Sequence, residues 1–243
     1  MADPNWERYS AGTGLAAAIL LALQAFIAPL YPTLNASGLD VARYYHSNAS
    51  ALRVQLLLTG VAAVLFLWFL GSLRVHLRRS EGDPGRLSAV AFGSGIAAVG
   101  PGAVAALTTA AAVRIAEGGQ EFTDLGAVVP LHDLRLLAYA LTWFALAPLL
   151  AATAVVSARS NAFPRWHMNA TYVLTLLSLG SAFSVLLDSG LFAPGGAYGI
   201  VLFGLFLVWL GVTSWLIMQA LAPAAEGPET AEPAPLPEPP PST

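Results

Sequence analysis

The stretch Leu52–Leu73, LRVQLLLTGVAAVLFLWFLGSL, decides the fold. After Arg53 it runs twenty residues without a charge. At 1.5 Å per helical residue that is about 30 Å, the thickness of a bilayer's hydrocarbon core. Five further apolar stretches flank it: Leu15–Tyr31, Leu87–Val113, Leu136–Val156, Ala170–Leu187 and Tyr198–Leu221. Lipid offers backbone N–H and C=O groups no partners, so each stretch is expected to be a helix. The expected fold is all-α: a polytopic bundle of six transmembrane helices.

Composition points the same way. Of 243 residues 56% are hydrophobic and only 10% charged, with a mean hydropathy of +0.66; soluble domains carry about 25% charged residues. The net charge of −3, with no large basic patch, argues against a nucleic-acid partner. All eleven cationic residues are Arg, so Schiff-base lysine chemistry is excluded. The chain has no Cys, which excludes disulfides, thiolate metal sites and thiol redox catalysis. The first fourteen residues carry Asp3, Glu7 and Arg8 rather than the positive lead of a cleavable signal, so the first apolar stretch is expected to be retained.

Arginine placement orients the spans. Arg8, the second loop (Arg74, Arg78, Arg79, Arg86) and the fourth loop (Arg159, Arg165) put seven on one side, against Arg43, Arg53, Arg114 and Arg135 on the other. The third loop is acidic instead, with Glu117, Glu121, Asp124 and Asp133. The positive-inside rule then puts both termini in the cytoplasm. The expected organisation is a cytoplasmic N-terminal segment (1–14), a transmembrane domain (15–221) and a disordered, Pro/Glu-rich cytoplasmic tail (222–243). From Pro223 onward that tail holds eight prolines and Glu226, Glu229, Glu232 and Glu238, a composition that cannot build a core.

The third segment is slim. Sixteen of the twenty-two residues from Ala91 to Ala112 are Ala, Gly, Ser or Thr, including the row Ser94, Ala98, Gly102, Ala106, Ala110. Small side chains let helices approach closely, so this segment is expected near the bundle centre. Pro101 and Pro148 remove a backbone bond inside the third and fourth segments, either bending a gate or fixing a static kink.

No segment carries a charge near its middle, where ionisable groups usually mark function. The weaker site candidates are three. Asp188, with Arg53 or Arg114, forms a polar cluster at the outer face, read either as a structural ion pair or as a ligand-binding acid. Gln24, Gln55 and Thr142 are candidate cavity-lining groups, or else ordinary interhelical hydrogen bonds. His46, His132 and Asp133 lie toward an acidic outer loop, where imidazole and carboxylate could hold zinc, although the H-x-x-x-H spacing is missing. All four histidines (His46, His76, His132, His167) are expected in loops or at helix ends. Tyr44-Tyr45-His46 reads either as an interfacial aromatic belt or as the cap of an outward-facing pocket. Phe92-Gly93-Ser94-Gly95 is similar to the G-x-S-G of intramembrane serine proteases, but Phe92 stands where the first glycine belongs and no membrane-spanning histidine is expected to serve as its base. Nothing in the sequence points to a cofactor.

Longer runs carry a family likeness. Leu65–Arg74 (LFLWFLGSLR), Leu77-Arg78-Arg79 and Gly85–Gly93 (GRLSAVAFG) resemble a group of actinobacterial multi-pass membrane proteins of unknown function. The Phe163-Pro164-Arg165-Trp166 turn and the Phe192–Gly196 connection are similar to the same group, and the likeness covers roughly Leu15 to Gln219. It implies the cytoplasmic membrane of a high-GC bacterium and no activity. The expected role is therefore a scaffold or accessory subunit, or a binder of a lipophilic small molecule. The expected partners are the bilayer and a membrane protein or lipophile. A carrier or channel for a neutral or hydrophobic solute is the alternative, and an outer-face metal-dependent enzyme the third reading.

Overall fold

The computed structural model describes residues 4–118 and 125–222; the tail from Pro223, together with Glu121 and Asp124, lies outside them. Seven α-helices and one 3₁₀ turn make up the described residues, with no strand among them. They are α1 (Pro4–Ala25), α2 (Gly38–Ser47), α3 (Ala49–Glu81), α4 (Arg86–Gly118), α5 (Leu125–Ser160), α6 (Arg165–Gly180), the 3₁₀ turn Ser181–Leu186, and α7 (Ala197–Ala220). Five helical stretches are long and apolar enough to cross a membrane: α3, α4, α5, α7, and α6 taken with its 3₁₀ turn. α1 does not meet that measure. Glu7 and Arg8 occupy its first turns, and the chain leaves the helix after Ala25 rather than at Tyr31. Pro29 and Pro32 lie in the stretch that follows, where a helix would lose donors and meet ring clashes.

Side-chain contacts sort the helix ends into two groups. At one end Arg79 of α3 grips Glu7 of α1 through two bonds of 3.0 and 2.8 Å, His76 of α3 meets the Phe163 ring before α6 at a tilt, and His167 of α6 bonds Thr213 of α7. The α3–α4 and α5–α6 turns lie here too. This arginine end also holds a tight cap: the Glu81 carboxylate accepts the Leu87 and Ser88 amides at 2.8 Å each, satisfying the free donors at the start of α4. At the other end sit α2, the end of α4 and the start of α5.

α5 is the central helix. It packs against α4, α6 and the 3₁₀ turn, and touches α2 and α3 as well. In its most apolar stretch 61% of residues are buried, against 33% for α4. This corrects the expectation that the slim third segment is central. One face of α4 does pack on α5, with Gly95 against Leu149 and Gly102 near Thr142, and its Ala98 and Ala105 are buried, but Gly93, Ala97 and Gly100 face outward. The main apolar core joins Phe66, Phe69 and Leu70 of α3, Trp143, Leu146, Leu149 and Leu150 of α5, and Leu202, Phe206 and Trp209 of α7. A second, smaller core holds Val41 and Tyr45 of α2 against Leu52, Ala112, Val113 and Val128.

Candidate functional site

A close set of polar and aromatic side chains lies at the α2 end. α2 itself is a short helix that begins at Ser37, whose hydroxyl accepts the Asp40 amide at 3.2 Å in the capping arrangement that Ser-x-x-Asp favours. Its buried face is Val41, Ala42 and Tyr45. Burial pushes the Tyr44 and Tyr45 hydroxyls well above the ordinary phenol value, with Arg135 opposing in each case, so both keep their protons.

Tyr45 reaches His132 of α5. The His132 Nε2 lies 3.0 Å from the Pro32 carbonyl, which can only accept, so the imidazole proton belongs on Nε2. Nδ1 is then the acceptor for the Tyr45 hydroxyl at 3.1 Å. Tyr44 donates to the Pro29 carbonyl at 2.6 Å, and Tyr31 donates to Gln55 Oε1 at 2.7 Å. Arg135, three residues beyond His132, lays its guanidinium carbon 3.1 Å from the centre of the Tyr31 ring and donates from Nε to Thr109 at 3.1 Å. These bonds tie α2 and the Pro29–Pro32 segment to α3, α4 and α5.

The expected site residues fall as follows. His132 is not in a loop: it lies within α5 and is fully buried. His46, exposed at the end of α2, donates to the Ala116 carbonyl at 3.0 Å. Asp133 is half-exposed, and among the described residues no three His, Cys, Asp or Glu side chains gather closely enough to hold a metal. Arg53 pairs with Glu117, in the last turn of α4, rather than with Asp188. Arg114 and Asp188 enter no ion pair among the described residues, and the Asp188 carbonyl accepts from Asn35 at 3.0 Å. Gln55 donates to the Gln24 carbonyl at 3.1 Å, whereas Thr142 bonds Ala138 within its own helix and faces Gly102.

Two features escaped sequence reading. The first is that His132 and Arg135 both join the buried tyrosine cluster, His132 through Tyr45 and Arg135 through Tyr31. The positions His132, Arg135, Leu136 and Tyr139 recur at helical spacing, a signal that α5 starts well before Leu136. The second is that the neutral mid-membrane serines Ser178, Ser181 and Ser184, visible in the sequence, join Thr171 and Thr175 in one buried hydroxyl stripe on a face of α6 and its 3₁₀ turn. His167 heads it, 2% exposed. Thr213 gives its proton to the Trp209 carbonyl at 2.6 Å, so His167 Nε2 donates to Thr213 at 2.9 Å and Nδ1 keeps a bare lone pair. His167 Nδ1, Ser178 Oγ and Trp143 Nε1 of α5 are buried without a hydrogen-bond partner among the described residues. All are uncharged donor or acceptor positions.

Two clefts open on the surface at the arginine end. One, of about 310 Å³, lies beside Val75, Arg78 and Asp83. The other, of about 550 Å³, runs along α1 beside Met218 of α7. Comparison of the chain with family models, curated proteins and solved structures returns no match.

Proposed function

We propose that this is a non-enzymatic protein of the bacterial cytoplasmic membrane, crossing it six times with both ends inside, that serves as a scaffold or accessory subunit or binds a lipophilic small molecule. α1 supplies the sixth crossing: it packs along α3 and α7, and its Ala11, Ala17 and Ala18 are buried. The arginine end faces the cytoplasm.

One observation supports the reading: the middle of the bundle is filled by the side chains of α3, α5 and α7, while the two clefts described open on the surface at the arginine end. A protein shaped this way meets its partners sideways, through lipid-facing surfaces, rather than passing them through its centre. Stopped-flow measurement of glycerol and urea entry into proteoliposomes tests this. The expected rate equals that of protein-free vesicles, and a co-purifying protein or lipophile is expected in stoichiometric amount from native membranes. A several-fold faster entry would sink the reading.

The alternative, a carrier for a neutral solute, is favoured by the hydroxyl stripe of α6 and the orphaned His167 Nδ1, Ser178 Oγ and Trp143 Nε1. Such groups could exchange hydrogen bonds with an uncharged polar molecule. The same flux experiment decides between the two.

A further inference from the structure

The flank of α1 beside α7 has the shape and charge of a lipid site. Its groove, about 550 Å³, is lined by Arg8, Tyr9, Gly12, Thr13 and Ala16 of α1 and Met218 of α7, within the range of small-molecule sites. Gly12 lets Met218 come close at the floor of the groove: a Cβ there would stand 3.2 Å from the Met218 sulfur. Beyond Ala16 the same flank of α1 continues as exposed apolar surface, with Ile19 and Leu23 each more than half exposed. A hydrocarbon chain leaving the groove therefore stays on apolar ground.

The mouth of the groove is cationic. Arg8 enters no ion pair among the described residues. Its neighbour Glu7 is held by both terminal guanidinium nitrogens of Arg79, so that acid's charge is already matched by Arg79. Of the other acids described at this end, Asp83 pairs with Arg78 and Glu81 caps α4. Tyr9, 74% exposed, and Trp6, which meets Trp68 edge-on, mark headgroup depth. Arg74, Arg86, Arg159 and Arg165 add to the same positive field.

We propose that this groove binds one anionic phospholipid of the cytoplasmic leaflet, its phosphate on Arg8 and one acyl chain along Gly12, Thr13 and Ala16 beside Met218. The inference names the lipophile of the reading above and rests on that orientation. It can fail separately, since a lipid-indifferent protein could still be a scaffold and a lipid-binding one could still conduct solute.

The test uses the full chain, delipidated in dodecyl maltoside and titrated with dioleoyl-phosphatidylglycerol or dioleoyl-phosphatidylcholine, with bound lipid counted by native mass spectrometry. One phosphatidylglycerol is expected to bind about fivefold more tightly than phosphatidylcholine, the share of one interfacial cation. Arg8→Gln, at an exposed position, is expected to erase the preference, whereas Arg159→Gln, which does not line the groove, keeps it. Gly12→Leu fills the groove and is expected to lose both lipids; if that variant does not fold, Arg8→Gln alone decides. Equal affinity for the two lipids, a preference that survives Arg8→Gln, or displacement by inorganic phosphate would each overturn the proposal. So would a tenfold gain on changing Glu226, Glu229, Glu232 and Glu238 to Gln, because the occupant would then be the chain's own acidic tail.

Discussion

α4 and α5 lie side by side, both rich in Ala and both interrupted by proline, yet α5 is enclosed and α4 keeps an open face. In water the more hydrophobic helix would be pulled inward. In lipid that pull is absent, because hydrocarbon tails are as apolar as leucine, and packing decides. α5 is central because its large side chains find partners on several sides: Trp143 meets Tyr139, Phe203 and Phe206 edge-on, and Leu149 reaches Gly95 of α4. α4 contributes a thin face that lets α5 come close. Its own outward glycines touch nothing. Smallness permits approach, but bulk with partners holds the centre.

The strongest way to break this comparison is Trp143→Ala. Loss of that ring from the core is expected to cost about 3–5 kcal/mol of stability, read by thermal or denaturant unfolding in detergent; a cost under about 1 kcal/mol would mean the core does not depend on α5. A sharper contrast lies within two residues of α4. At Gly95 a new Cβ would stand 2.6 Å from a Leu70 methyl and 3.0 Å from one of Leu149, so Gly95→Ala is expected to cost about 1–3 kcal/mol. At Gly93 nothing lies within 4 Å, so Gly93→Ala is expected to be neutral or to gain up to about 1 kcal/mol from helix propensity. Equal effects at the two sites would contradict the packing of α4. The smallest effect belongs to the rim. Arg53→Gln removes the ion pair with Glu117 and is expected to cost less than about 1 kcal/mol, shrinking further in high salt.

Apolar run length was enough to find α3, α4, α6 and α7, because twenty uncharged residues admit few other structures. Run length says less where the helix is mixed. α1 starts at Pro4, inside polar sequence, and α5 starts at Leu125, so His132 and Arg135 looked like loop residues while they were building a buried cluster. α2 was missed for a related reason: ten residues with a polar face give no membrane signal, although Ser37 and Asp40 spell its cap. Which charge meets which was not legible at all. Arg53 and Glu117 face one another through the rotation of α3 and α4 about their axes, a quantity that residue order does not contain. The centrality of α5 was hidden likewise, since burial depends on what surrounds a side chain as much as on its size.

The hydroxyl of Ser214 in α7 donates to the Ala11 carbonyl at 2.6 Å and accepts the Leu15 amide at 2.9 Å, two groups one helical turn apart in α1. The first helix thus borrows a bridge from a residue 199 positions later. At about 5–20 residues per second of synthesis, roughly 10–40 s separate the emergence of the two. During that interval α1, with its charged opening turns, is without this bridge, and it is completed only once α7 has emerged.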